Sequence, residues 1–192
     1  PRRQRQMCIR DSSQRDVHAA MGRYDEALAA MRELLEIRPD DARARYEAGR
    51  LLIQLGDLAG AEAEIRAALE ARPQLPDAHF NLALIAEQAG DPGLAEREYR
   101  AELERFPGHY QARANLGILL VQTGRPAGAE ESFRKLIEIG PEQPVGYHLL
   151  ARLQLEAGRA DEETLRLALR AEELDPSPRN RELVRRVRAQ VN

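Results

Sequence analysis

The stretch "ANLGILLVQTGRPAGAEESFRKLIEIGP", Ala114–Pro141, has glycine and proline at the positions expected for two helices joined by a turn. Gly124 lies near its middle, Pro126 follows two residues later, and Pro141 closes it. Glycine ends a helix cheaply because it accepts a positive φ, and proline is well suited to the first turn of the next helix. The stretch therefore predicts one pair of helices in which the chain reverses at Gly124.

The turn glycine and the closing proline recur at intervals of 34 residues. The glycines in this phase are Gly22, Gly56, Gly90, Gly124 and Gly158. The prolines in this phase are Pro39, Pro73, Pro107 and Pro141. Between these markers apolar residues recur at helical spacing, so each 34-residue unit is predicted to be a pair of helices.

Small residues keep the same phase where the two helices of a pair should cross. On the second helices they are Ala27, Ala61, Ala95 and Ala129. On the first helices they are Gly49, Ala83, Gly117 and Ala151. A larger side chain at a crossing would force the helices apart, so these positions predict close packing within every pair.

Seven positions of Ala114–Pro141 match the pattern of one known repeat family, the tetratricopeptide repeats. They are Leu116, Gly117, Leu120, Gly124, Ala129, Phe133 and Pro141. The resemblance extends from about Arg15 to Pro176, close to five repeats. It implies a right-handed superhelix of antiparallel helix pairs whose first helices line a concave groove for peptides or partner proteins. Physical reasoning agrees with stacking, because a single pair cannot bury its apolar face alone.

We therefore predict an all-α fold, a right-handed α-solenoid of about five helix pairs plus a C-terminal capping helix. About eleven helices are expected in one elongated stack. The solenoid should cover residues 13–177 and the cap residues 178–192, with repeats near 8–41, 42–75, 76–109, 110–143 and 144–177. Aromatic residues make up only 4% of the chain, so the core should consist mainly of Ala, Leu, Ile and Val.

The fifth repeat departs from the pattern. It has one extra residue between Gly158 and Pro176, and Glu163 stands where the crossing alanine is expected. We therefore expect its second helix to be shifted.

The segment after Pro178 places four apolar residues on one helical stripe and five arginines elsewhere. The apolar residues are Leu183, Val184, Val187 and Val191. This pattern favours a helix that covers the last apolar face of the stack, which solenoids need for solubility. A basic helix of this kind could instead contact nucleic acid or acidic lipid.

The opening stretch "RRQRQMCIRDS", Arg2–Ser12, is unlike the rest of the chain, and it contains the only cysteine. Its residues can be encoded by a nucleotide string that resembles a widely used sequencing-library adapter. We therefore expect residues 1–12 to be a cloning or assembly scar, and the natural gene to have been interrupted within a repeat. The compartment, bacterial cytoplasm or periplasm, stays open on this interpretation.

Composition argues against several classes of function. Outside residues 1–12, 25 basic residues face 31 acidic ones, which does not suit a nucleic-acid partner. No stretch approaches the roughly 20 apolar residues needed to cross a bilayer. His18, His79, His109 and His148 are isolated and show no metal-ligand spacing. We expect no catalytic residues, no metal and no cofactor.

The resemblance places a set of side chains on the groove. They are Tyr46, Glu47, Arg50, Phe80, Asn81, Leu84, Ala114, Asn115, Ile118, His148, Leu149 and Arg152. Asn81 and Asn115 are 34 residues apart and resemble the asparagine ladder with which some family members hold an extended peptide backbone. Asparagine is also simply common at this position in the family, and both interpretations stay open.

These observations predict a non-catalytic, monomeric scaffold that binds a peptide or a segment of a partner protein. The alternative is the C-terminal repeat tail of a larger bacterial enzyme, such as a sulfatase or a glycosyltransferase. The residues themselves do not separate the two.

Overall fold

The computed structural model describes residues 22–191, and every regular element within them is an α-helix. We number these helices in chain order, beginning with α1 over residues 22–37. The others are α2 (Ala42–Leu55), α3 (Leu58–Ala71), α4 (Ala78–Gln88), α5 (Pro92–Arg105), α6 (Tyr110–Gln122), α7 (Pro126–Ile139), α8 (Pro144–Glu156), α9 (Glu162–Leu174) and α10 (Pro178–Arg188). The adapter-like segment and the first predicted helix lie outside the described residues.

The chain divides into two compact units, one ending at Ile85 and the other comprising Ala86–Asn192. The boundary falls within α4. In the part of the chain that the structure describes, no helix combines the length and apolar character needed to span a bilayer.

Four of the five in-phase glycines form the predicted turns. Gly56, Gly90, Gly124 and Gly158 have φ values between 71° and 82°, in the left-handed region. At the first of these turns Gly56 N–H donates to Ile53 C=O and Asp57 N–H donates to Leu52 C=O, which satisfies carbonyls at the end of α2.

Gly22 is the exception to this turn pattern, because the structure places it in a helix. The turn predicted at Gly22 is therefore wrong. Glycine accepts helical and left-handed backbone alike, so its phase in the repeat does not determine its conformation.

In the first unit, α2 and α3 pack closely around Gly49. A Cβ placed on Gly49 would lie 2.6 Å from Cγ1 of Ile65 and 3.2 Å from the carbonyl oxygen of Ala61. Ala61 and Ile65 are fully buried. The predicted crossing is confirmed, and it leaves no room for a side chain at position 49.

The equivalent contact in the second unit is that between α6 and α7. A Cβ on Gly117 would overlap the ring of Phe133 and lie 2.8 Å from its Cδ1 atom. Ala129 is fully buried one helical turn before Phe133. The aromatic ring therefore occupies the space that the glycine leaves open.

The fifth repeat is shifted by one residue, as its extra residue predicted. Glu163 is exposed, and Thr164 is the fully buried residue at the crossing. The Thr164 hydroxyl is 3.0 Å from Gln154 Oε1 and 2.7 Å from the carbonyl oxygen of Arg159. These contacts satisfy a polar group at a position where earlier repeats have alanine.

Helix α10 covers the apolar end of the fifth repeat. Leu183, Val184 and Val187 are buried in a cluster that also contains Leu155 and Ala168. The expected capping helix is therefore present. Its buried Asn180 donates from Nδ2 to the carbonyl oxygen of Ala171 at 3.1 Å and to that of Asp175 at 2.7 Å.

Two ion-pair triads follow the 34-residue period within the second unit. In the first, Glu96 contacts Arg100 at 2.5 Å and is also bonded to Arg125. In the second, Glu130 is 2.8 Å from Arg134 and 2.6 Å from Arg159. Both glutamates are mostly shielded from solvent, with side chains 9% and 19% exposed.

One of the two arginines in each triad, Arg125 or Arg159, also connects its helix pair to the preceding pair. Arg125 and Arg159 directly follow the turn glycines, whereas Asp57 and Asp91 at the same phase cap α3 and α5. The position after the glycine therefore serves either as an N-cap or as an ion-pair partner for the preceding repeat.

Acid should weaken these triads. The hydrogen bonds from Arg125 and Arg159 are the largest causes that lower the pKa values of Glu96 and Glu130. A carboxyl group with a lowered pKa stabilises the folded state above its ordinary pKa, and this stabilisation is lost as the pH falls through the lowered value. We expect the double substitution Glu96→Gln and Glu130→Gln to reduce the free energy of unfolding by about 1 to 2 kcal/mol at neutral pH.

Urea unfolding between neutral and strongly acidic pH measures this effect. The variant and the natural chain should converge in stability toward acid. The control is Glu62→Gln, which removes the exposed pair of Glu62 with Arg66 and should change little. A constant difference between variant and natural chain at every pH would contradict the linkage.

Candidate functional site

The first unit presents half of the predicted binding residues on α2 and α4, and we refer to this set as the α2–α4 face. It consists of Tyr46, Glu47, Arg50, Phe80, Asn81 and Leu84. Tyr46 is buried, Arg50 is exposed, and the other four are partly exposed. A depression of about 450 Å³ on this unit is lined by Glu47, Arg50 and Asn81 together with Tyr24, Leu51, Ile53 and Gln54.

Charge on the α2–α4 face is concentrated around Arg50. Its guanidinium is 3.1 Å from a carboxylate oxygen of Glu47 and lies 6.0 Å from the ring centre of Tyr46. The ion pair and the aromatic contact hold the arginine side chain against the helix surface.

Asn81 is held by a hydrogen bond that the sequence pattern does not reveal. Its Nδ2 donates to the hydroxyl of Tyr46 at 2.9 Å and to the carbonyl oxygen of Asp77 at 3.0 Å. Asp77 directly precedes α4 and has a positive φ of 64°. Because the nitrogen is engaged, the group that Asn81 offers to a ligand is its carbonyl oxygen Oδ1, which makes no hydrogen bond within the described residues.

The second unit presents the other half on α6 and α8, and we refer to this set as the α6–α8 face. It consists of Ala114, Asn115, Ile118, His148, Leu149 and Arg152. Asn115, Ile118 and Arg152 are partly exposed, whereas the other three are buried. Arg152 lies 3.6 Å from Glu156 on the same helix. Asn115, Ile118 and Arg152 are therefore the parts of this set that a ligand can reach directly.

Asn115 is also oriented by a tyrosine. Its Nδ2 donates to the hydroxyl of Tyr99 at 3.2 Å, and that hydroxyl donates to Glu87 at 2.5 Å. Tyr99 is fully buried, and burial together with the neighbouring carboxylate of Glu87 raises the pKa of its phenol. The hydroxyl therefore stays protonated at neutral pH. Among the described residues Asn115 makes this one hydrogen bond through its amide, so it can offer a ligand both Oδ1 and its second N–H.

The side chain of His148 is buried and makes a hydrogen bond within the protein. It is 6% exposed, and its Nδ1 lies 2.7 Å from Oδ1 of Asn180 on α10. Burial is the main cause that lowers its pKa, and the nearby charge of Arg179 adds to it. The structure therefore places His148 in the contact between α8 and the capping helix, and not on an open surface.

Another of the four histidines, His109, has a structural role. His109 precedes α6 and accepts a hydrogen bond from Ala112 N–H through Nδ1 at 3.1 Å, so it caps that helix. Glu102, fully buried, lies 3.8 Å from the other ring nitrogen of His109.

The sequence pattern placed Tyr46 on the groove but did not reveal its hydrogen bond to Asn81, and it did not identify Tyr99 or Asn180 as residues that organise these faces. Tyr99 was identifiable as a core residue from its helical spacing, but the partners of its hydroxyl were not. Asn180 could have been noticed, because it is a polar residue close to an apolar stripe.

The comparisons with known proteins agree with this architecture. Three tetratricopeptide repeat family models match residues 18–87, 80–144 and 144–162. The chain belongs to the tetratricopeptide repeat family. A search of curated proteins gave no match.

Solved structures of similar fold cover most of the chain. The MamA protein superposes with a TM-score of 0.71 at 17% identity, over 84% of this chain and 87% of MamA. A MamA fragment from Desulfovibrio magneticus RS-1 gives 0.70 at 21% identity, over 88% and 94% of the two chains. YrrB, described as a tetratricopeptide repeat protein with an unusual peptide-binding site, gives 0.69 at 20% identity, over 91% and 88%. At these identities the likeness shows the fold alone.

Proposed function

We propose that the chain is a non-catalytic scaffold whose first-helix faces bind an extended segment of a partner protein. The observation that carries this proposal is the matched pair of asparagines, Asn81 and Asn115. Each donates from Nδ2 to a tyrosine hydroxyl, and neither Oδ1 accepts a hydrogen bond from any residue between 22 and 191. YrrB, a relative in fold, is described as having a peptide-binding site, which supports the same class of partner.

The free oxygens define what the asparagines can recognise. An amide oxygen accepts hydrogen bonds, and the recurrent donor of an extended peptide is its backbone N–H. Such a contact does not depend on the ligand's side chains. The asparagines should therefore contribute affinity to many sequences, and choice among partners must come from neighbouring groups.

On each face the asparagine is accompanied by at least one partly exposed apolar residue and by one arginine. Phe80, Leu84 and Ile118 are partly exposed on helices that already hold them in place. Arg50 and Arg152 add positive charge on the two faces. Rigid apolar anchors generally contribute most of the binding free energy, while charges set orientation and selectivity.

Variants of these residues test the proposal once a partner has been isolated with the intact chain. Calorimetric titration should show Phe80→Ala weakening the complex by about 1 to 3 kcal/mol. Asn115→Ala should weaken unrelated ligand sequences to a similar degree, because a backbone contact reads no side chain. Arg97→Ala on α5, an exposed residue of a second helix, is the control and should leave this affinity unchanged.

A merely structural role for the same residues gives a different result. If Phe80 and Ile118 only pack between helices, Phe80→Ala will lower the melting temperature and leave the affinity of the refolded variant unchanged. That outcome would remove the α2–α4 face from the proposal.

A further inference from the structure

Helix α10 has a second surface whose composition the capping role does not explain. Its apolar stripe is buried, but the helix also carries five arginines against a single glutamate, while the chain as a whole has a net charge of −3. The arginines are Arg179, Arg181, Arg185, Arg186 and Arg188. All five are exposed.

Most of these guanidinium groups lack an acidic partner. Arg185 pairs with Glu182 at 2.5 Å, whereas Arg181, Arg186 and Arg188 form no ion pair within the described residues. Several other arginines of the second unit, among them Arg134 and Arg159, lie against carboxylates. Concentrated, unpaired positive charge is therefore a property of this helix.

Three of the arginines line a depression of about 400 Å³ between α9 and α10, which we name the α9–α10 depression. Its lining consists of Arg181, Arg185, Arg188, Glu172, Pro178 and Val184. The three arginines are spaced four and three residues apart, so they lie along one side of the helix. Pro178 adds exposed apolar surface, the buried Val184 lies beneath the depression, and Glu172 is the one acidic residue in the lining.

From this arrangement we propose that the α9–α10 depression binds an acidic segment of a protein, in extended conformation, through Arg181, Arg185 and Arg188. Residues four apart on a helix are separated by about 6 Å along its axis. Alternate residues of an extended peptide lie about 6.6 to 7 Å apart on one face, close to the spacing of Arg181 and Arg185 and longer than the about 4.5 Å between Arg185 and Arg188, a difference that the long arginine side chains can span. Guanidinium groups bind carboxylates in a bidentate manner, and the side chains between the acids point away from the helix.

A protein segment fits this surface better than a nucleic acid. Helix α10 has 11 residues and is about 16 Å long, which limits the basic surface to a short ligand. A polyanion extending beyond it would meet the surface of a chain that is acidic in net charge. A short acidic peptide avoids this repulsion.

Fluorescence anisotropy with the full chain tests the assignment. The probe is a labelled peptide in which glutamate alternates with leucine or valine, and a glutamine version of the same peptide is the negative probe. The triple variant Arg181→Gln, Arg185→Gln, Arg188→Gln should weaken binding of the acidic peptide about tenfold or more. The matched control, Arg43→Gln, Arg97→Gln, Arg166→Gln, makes the same charge change at other exposed positions and should retain affinity within about twofold.

A second variant tests whether the arginines act through their bidentate geometry or through their charge alone. Replacing the same three residues on α10 with lysine preserves the charge but removes the planar, bidentate donor, so it should restore only part of the affinity. Urea midpoints should be the same for all of these variants, because the substituted residues are exposed. Phe80→Ala should not change binding of this probe, which distinguishes the surface from the first-helix faces.

Several results would overturn the proposal. One is that the acidic peptide does not bind the chain. The others are an equal loss of affinity in the α10 triple variant and the control triple variant, and no recovery of affinity when the three α10 arginines are replaced by lysine. Tighter binding of a short DNA duplex or of phosphatidylserine vesicles through the same arginines would assign the surface to a different class of ligand.

Discussion

Replacing Gly117 with leucine is expected to destabilise the chain by several kcal/mol, the largest effect of any single substitution considered for α6 and α7. The space that a Cβ would need is occupied by the ring of Phe133, which is 1% exposed. Neither helix can move away without exposing Ala129 of α7, which is fully buried. Overpacking of this kind typically costs about 1 to 3 kcal/mol and more where the backbone must shift.

Urea unfolding followed by circular dichroism measures this loss. The matched control is Gly108→Leu, because a Cβ at Gly108 meets no atom within 4 Å. It should change stability by less than about 0.5 kcal/mol. The double variant Gly117→Leu with Phe133→Ala should be less unstable than the two single effects together predict, since removing the ring makes room for the leucine. Equal midpoints for Gly117→Leu and Gly108→Leu would contradict the assigned helix crossing.

The second large effect is expected from Val187→Asp on the capping helix. Val187 is fully buried in the cluster with Leu155 and Ala168. A carboxylate there would have no partner, and burying an unpaired charge costs several kcal/mol unless the structure opens. We therefore expect α10 to detach and the apolar side of α8 and α9 to become exposed.

Hydrogen exchange resolves this effect along the chain, because repeat proteins can open locally while other repeats stay folded. Amides of α8, α9 and α10 should lose protection, and those of α2 and α3 should keep it. The control is Arg186→Asp, one residue earlier and exposed, which should leave protection unchanged. Unchanged exchange in Val187→Asp would show that α10 does not cover this face.

The sequence predicts those parts of the fold that repeat. Each turn at Gly56, Gly90, Gly124 and Gly158 follows from a local conformational requirement, and the close approach at Gly117 follows from its phase with Ala129. These features are predictable because the cause lies within one 34-residue unit. The one-residue shift of the fifth repeat was predictable for the same reason, from its extra residue.

The orientation of the candidate site was not predictable in this way. Asn81 meets Tyr46 across 35 residues, and Asn115 meets Tyr99, which lies on a second helix. The two asparagines occupy the same position of their repeats, but their tyrosine partners occupy different positions. Hydrogen bonds between non-equivalent positions leave no periodic signal, so the pattern identified the asparagines without showing which of their atoms is free.

His148 shows the same limit. By its position in the repeat, His148 would be a binding residue like the others. However, Asn180 of α10 makes a hydrogen bond to it, and α10 shields it from solvent. The last repeat of a stack has a neighbour that is not a repeat. A residue at its exposed phase can therefore become part of the contact with the cap.

Site-specific photo-crosslinking to an isolated partner locates the binding surface on the chain. A benzophenone amino acid would replace Leu84 or Ile118 on the first-helix faces, and Glu104 or Lys135 on the second helices as controls. Our account predicts crosslinked partner from the first pair of positions and little from the second. Crosslinks confined to Glu104 and Lys135 would contradict it, because the partner would then occupy the second-helix surface.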